Sequence, residues 1–210
     1  MGFARIRYVS LEIKCVRAGG VLVIGCRSGY KDEYGRCPMV PQPGLLQKLT
    51  ATDVTEYTFA SPAEEEPYAL WDGRRMPMPV FNDVLTPLEG AQVLARFGTS
   101  YYAGEAALTE HRVGEGRALH LGGAFSREAA QMILAHLGLL APFSDIVSAP
   151  QGIELIMREK NGQKFLFALN YQPTPQAITL HKAAVSLFSG EAAQGEITLS
   201  PYGVEVYQIA

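Results

Sequence analysis

Most hydrophobic positions in this chain alternate with polar ones, but one run does not. Val21 to Ile24 is unbroken and apolar, with Gly19-Gly20 before it and Gly25 after it. The run is too short and too β-branched for a buried helix. It predicts a strand covered on both faces, as in a parallel sheet. The composition then switches to Arg27, Lys31, Asp32, Glu33 and Arg36. In an open α/β sheet, the loop leaving the carboxyl end of a strand is where binding residues gather. These five residues form the candidate contact site, with a solvated turn as the plainer alternative.

Helical spacing precedes that strand. Ile6, Val9, Ile13 and Val16 share one face, and Gly19-Gly20 ends the helix as a glycine cap does. Pro38, Pro41 and Pro43 predict a stiff loop. Leu45, Leu46 and Leu49 then suggest a short helix, and Asp53 to Tyr57 a strand. Ser61 to Pro79 reads as a turn-rich loop, with Glu64-Glu65-Glu66 solvated and Trp71 as a hydrophobic anchor. Strands follow at Phe81–Leu85 and Gln92–Phe97. The turn Gly114-Glu115-Gly116-Arg117 joins Thr109–Val113 to Ala118–Leu121 in a hairpin. Glu128 to Leu140 predicts a helix with Ser126 as its N-cap.

Pro142 to Pro150 reads as a linker, and beyond it no helix is expected. Ile153, Leu155 and Met157 lie on one side of a strand, and Asn161-Gly162 is the strongest hairpin signal in the chain. Lys164–Asn170 returns. Ala177–Leu180, Ala184–Phe188, Glu196–Leu199 and Val204–Ile209 supply four more strands. The pattern predicts a small antiparallel β-sandwich of about sixty residues.

The totals narrow the possibilities. A chain of 210 residues that is 48% apolar can bury a sizeable core in one large or two small domains. A net charge of -3 gives no attraction to nucleic acid or to an anionic membrane. No run approaches the roughly 18 apolar residues of a membrane span, and the first residues lack the apolar stretch of a signal peptide. Cys15, Cys26 and Cys37 are odd in number and widely spaced, as reduced cytosolic thiols are. A cytoplasmic protein is expected, with Cys15 and Cys26 as core fillers.

Candidate chemistry is sparse. Cys26 follows a strand, but Ile24 and Ser28 stand where a nucleophile elbow needs glycines. His111, His120, His136 and His181 are scattered, so neither a metal nor another cofactor is expected. His120 alternates within a strand as a half-buried structural residue. Gly114-Glu115-Gly116 precedes a strand, whereas a phosphate loop follows one.

Five stretches in order carry a family resemblance. They are Ala18-Gly19-Gly20-Val21-Leu22-Val23-Ile24 with Arg27-Ser28-Gly29-Tyr30-Lys31-Asp32-Glu33; Pro43-Gly44-Leu45-Leu46; Val93-Leu94-Ala95-Arg96-Phe97 with Tyr102-Ala103-Gly104; Gly114-Glu115-Gly116-Arg117-Ala118 with Leu121-Gly122; and Phe165-Leu166-Phe167-Ala168-Leu169-Asn170 with Pro201-Tyr202-Gly203-Val204. Together they resemble the part of family 42 glycoside hydrolases, the bacterial β-galactosidases, that follows the catalytic barrel. The resemblance implies a partial doubly wound α/β domain at 1–147, flavodoxin-like and similar to class I glutamine amidotransferases, that forms trimers. It implies a C-terminal β-sandwich at 148–210. The acid/base and nucleophile carboxylates of the family sit on the TIM barrel, so the resemblance places no catalytic residue in this chain. The expected partners are that barrel and further copies of the chain. With earlier strands of the sheet absent, Val21–Ile24 would expose an open edge, which favours association.

Two other readings remain open at this point. A free-standing binding module would stack a sugar on Trp71, Tyr101 or Tyr102, or bind a protein. An amidotransferase-like hydrolase would use Cys26.

Overall fold

Gly19 and Gly20 end the first described helix as their position suggests. Gly19 adopts φ +101°, and its N–H donates to Val16 O at 3.0 Å. The Gly20 N–H donates to Cys15 O at 2.9 Å. These are the paired bonds of a Schellman ending. The computed structural model describes residues 13–32, 34–37, 39–60 and 66–210. Helix α1 covers 13–17 of these, while Ile6 and Val9, assigned to the same helix, lie outside the described residues, as do Glu64 and Glu65 of the acidic run. The chain divides into two units, Met1–Leu137 and Gly138–Ala210.

The sheet of the first unit runs β1 (Val21–Ile24), β8 (Gly116–Leu121), β7 (Ala106–Val113), β6 (Ala91–Phe97), β3 (Tyr68–Trp71), β4 (Arg74–Pro77). Strand β2 (Thr52–Phe59) pairs β5 (Phe81–Pro87), which joins the sheet at β7. Only β1 and β8 run parallel; every other described pairing is antiparallel. The unit is therefore mostly β where helices between parallel strands were expected. Adjacent strands joined by short turns leave no length for crossover helices.

Strand β1 is also less covered than its apolar run suggests. Ile24 is buried, but Val21 is 40% exposed, and β8 is its one neighbour among the described strands. Helices nonetheless flank both faces of β8. Ala118 packs with Val16 of α1 and Leu49 of α2 (Gln47–Thr50). Its neighbour Leu119 shares a core with Ala129 and Ile133 of α3 (Arg127–His136). Successive strand residues point to opposite faces, so α1 and α2 lie on one side and α3 on the other. Ser126 caps α3, its Oγ accepting the Ala129 N–H at 3.0 Å. The helix stops at His136, short of the expected Leu140, because Gly138 turns left-handed at φ +71°.

The second unit holds one antiparallel sheet in the order β10 (Ile153–Lys160), β11 (Gln163–Asn170), β14 (Val204–Ile209), β12 (Gln176–Ser186), β13 (Ala192–Leu199). Asn161 and Gly162 take φ 54° and 77° between β10 and β11, as a tight hairpin turn demands. Two expected strands fuse into β12. Its first half pairs β9 (Val147–Ser148) and its second half pairs β14, while β13 follows the other edge throughout. Five residues of β12, Leu180 to Ala184, span the distance that three residues, Gly195 to Ala193, span on β13. The surplus of two keeps Ile178, Leu180 and Ala184 all facing the core while the strand bends. The expected sandwich is thus a single sheet curled around Leu166, Ala168, Ile178 and Tyr207.

Candidate functional site

The loop leaving β1 is pinned where the sequence puts its glycines. A Cβ at Gly29, with φ +74°, would meet Pro43 O at 2.1 Å, so only glycine lets this loop pass so close. The loop thereby reaches one face of the β2–β5 pair. Tyr57 lies opposite Asp83, and Phe59 opposite Phe81, so these four side chains share that face.

Arg27 closes the arrangement. Its guanidinium carbon sits 4.1 Å from the ring centre of Tyr30, 4.8 Å from Tyr57 and 4.9 Å from Phe81. Its backbone, left-handed at φ 63°, donates its N–H to Asp83 Oδ2 at 2.7 Å. The Tyr30 hydroxyl donates to Asp83 Oδ1 at 3.3 Å. The result is a cation in an aromatic cage above a fully buried carboxylate. Burial pushes the Asp83 pKa up, and the Arg27 N–H, the Tyr30 hydroxyl and the Arg27 charge oppose that rise. The outer rim of the cage faces solvent, with Tyr57 58% and Phe59 60% exposed. Replacing Asp83 with Ala should cost about 1–3 kcal/mol in urea denaturation, since two donors lose their acceptor. Asp83→Asn keeps an acceptor for Arg27 and removes a buried charge, so it should stay within about 1 kcal/mol of the native chain. An Asn variant as unstable as the Ala variant would show that the charge itself is needed beneath Arg27.

Of the five charged residues singled out in this loop, the structure brings only Arg27 into the cage. Asp32 folds back on its own turn, its Oδ1 accepting the N–H groups of Tyr34 at 3.0 Å and Arg36 at 2.8 Å. The Arg36 guanidinium lies 5.7 Å from the Tyr34 ring centre. Lys31 is exposed, and Glu33 lies outside the described residues. Sequence reasoning missed Tyr30, Tyr57, Phe59, Phe81 and Asp83. A period-two reading of β2 and β5 would have put the last four on one face.

The surroundings of Cys26 disfavour its thiolate. Burial, then the nearby Asp83 charge, push its thiol up to about 11, so it stays protonated at neutral pH. Cys15 is exposed rather than in the core, and all three cysteines are free. Trp71 and Tyr102 are buried, although Trp71 still lines a shallow cleft beside Asp72, Arg74 and His136. Tyr101 is exposed, its hydroxyl donating to Glu56 at 2.5 Å. A separate polar cluster lies on the α3 side. Glu110 Oε2 pairs with His136 Nε2 at 2.8 Å and with Arg117 at 3.6 Å, and the Trp71 ring packs edgewise on the imidazole at 5.2 Å. Among the described residues no three His, Cys, Asp or Glu side chains gather in a way that could hold a metal ion. No helix among them is long and apolar enough to cross a membrane.

The fold is one found in the β-rich part of larger glycosidases. The solved β-galactosidase of Bacillus circulans sp. alkalophilus superposes with a TM-score of 0.79 at 22% identity, over 97% of this chain and 31% of that one. The cold-adapted β-galactosidase of Rahnella sp. R3 does so with a TM-score of 0.75 at 23% identity, over 96% and 30%. In sequence, the β-galactosidase trimerisation domain matches residues 9–141, and the β-galactosidase C-terminal domain matches 152–208. The chain belongs to glycoside hydrolase family 42, through those two domains. The curated β-galactosidase BglY of Alicyclobacillus acidocaldarius is 29% identical over 203 residues, and LacZ of Heyndrickxia coagulans is 27% identical over 194. Each alignment covers 92% of this chain, and the chain spans about 29% of each relative's length.

Proposed function

We propose that these residues are the assembly and support portion of a retaining β-galactosidase. The first domain associates with copies of itself into a trimer, and both domains brace a TIM barrel carried on another stretch of polypeptide. On that barrel two carboxylates cleave terminal β-galactosides through a glycosyl-enzyme intermediate. The match to the trimerisation domain over residues 9–141 carries this reading. The two domains run 1–147 and 148–210. The first is the remainder of a doubly wound, glutamine amidotransferase-like sheet, a reading supported by the parallel β1–β8 pair with helices on opposite faces. The enzyme works in the cytoplasm, in keeping with three unpaired thiols.

The Arg27 cage is the contact surface in this reading. Exposed Tyr and Phe around an anchored Arg are the composition of interface hot spots. Lys31, Asp32, Glu33 and Arg36, next in sequence, supply its polar rim. Two measurements on the purified chain test the proposal. Sedimentation velocity should show association that grows with concentration, and a chromogenic galactoside should not be turned over above the blank. Turnover by the pure chain, or a strict monomer at the highest soluble concentration, would overturn it.

A further inference from the structure

His120 sits on the α2 side of the sheet at the end of a hydrogen-bond chain whose direction is fixed. Thr50 Oγ1 donates to Leu46 O at 3.2 Å, because a carbonyl can only accept. Thr52 Oγ1 therefore gives its proton to Thr50 Oγ1 at 2.9 Å. Thr52 is left as an acceptor for His120 Nδ1 at 2.8 Å. The imidazole thus carries its proton on Nδ1 and presents a bare lone pair at Nε2. That atom is buried with no partner. Directly across the strand pair, Thr109 is the registered neighbour of His120. Its Oγ1 is also buried with no partner. Paired residues project to the same face, so an unused donor and an unused acceptor face each other in the interior.

We propose that a single internal water bridges Thr109 Oγ1 and His120 Nε2, accepting from the hydroxyl and donating to the imidazole. The water completes a polar thread from β7 through β8 to α2, taking the Thr109 proton and giving one of its own to Nε2. Two orphaned polar atoms on adjacent side chains are the kind of site that proteins fill with ordered water. The ligand class follows from the chemistry: the site needs one acceptor and one donor on a single small neutral atom.

The test rests on the sign of one substitution. If the water is present, Thr109→Val strands it and leaves Nε2 unsatisfied, and the unfolding constant of the full chain should rise about tenfold. If the site is dry, the same substitution removes an unsatisfied hydroxyl and should leave stability equal or higher, which overturns the proposal. Thr109→Ser keeps the hydroxyl and should hold the native ¹⁵N resonance of Nε2, with only the loss that one buried methyl group brings to stability. A crystal structure of the native chain decides the matter even if the Val variant fails to fold. Solvent density about 2.8 Å from both atoms is the expected result. A Thr109 hydroxyl bonded directly to Nε2 or to a main-chain carbonyl would end the idea.

Discussion

Lowering the pH from 6.5 to 4 should remove about 3 kcal/mol of stability through one residue, His120. The imidazole is only 1% exposed, and its burial lowers the pKa from 6.5 to about 4. In the unfolded chain the same group takes up its proton near 6.5. Between those two values the unfolded state binds more protons than the folded one, so stability rises with pH. The contribution is complete above 6.5 and disappears as pH falls through the window to 4. Asp83 works the other way. Its raised pKa makes the folded carboxyl hold its proton at higher pH than the unfolded one, so its share of stability grows on acidification. The His120 share is isolated by comparing the native chain with His120→Gln, whose side chain cannot titrate. Urea denaturation at several pH values between 7 and 4 should show the native curve falling towards the variant's. Parallel curves across that range would mean that His120 is not held neutral.

Hydrogen-bond chemistry of this kind is invisible in the primary structure, and that divides what was legible from what was not. Local rules read well. Asn161-Gly162, the Gly114 turn, the Ser126 cap and the Gly19-Gly20 ending each act within a few residues, and each turned up in its expected place. The β3–β4 hairpin was missed although its signal was present. The four prolines of Ser61–Pro79, Pro62, Pro67, Pro77 and Pro79, suggested a loop, yet Asp72-Gly73, at φ 48° and 76°, is a two-residue hairpin turn. The prolines fit because Pro67 and Pro79 flank the hairpin and Pro77 closes β4. His120 was expected half-buried, because alternation along a strand says nothing of what covers each face. The α1 and α2 layer that buries it comes from distant sequence. The cage failed for the same reason: Arg27 and Phe81 meet only because the loop crosses Pro43 and lands on β5.

The cage rim should also decide whether the chain assembles. Tyr57 and Phe59 are more than half exposed, and a central aromatic pair at an interface contributes on the order of 2–4 kcal/mol per residue. Phe59→Ser with Tyr57→Ser should therefore raise the dissociation constant of the assembly by roughly a thousandfold or more. That is enough to convert the associated species to monomer at micromolar chain concentrations. The two residues differ in what else they do. Tyr57 stacks on Phe81 and lies under the Arg27 guanidinium, whereas Phe59 touches Phe81 from outside, edge to face at 5.8 Å. Phe59→Ser alone should thus weaken assembly while leaving the urea midpoint of the domain close to native. The double variant should lower both. Sedimentation equilibrium on the native chain and both variants separates the effects. If association survives both substitutions at unchanged concentration dependence, the chains meet through another surface, and the edge of β1 that no described strand pairs becomes the next place to mutate.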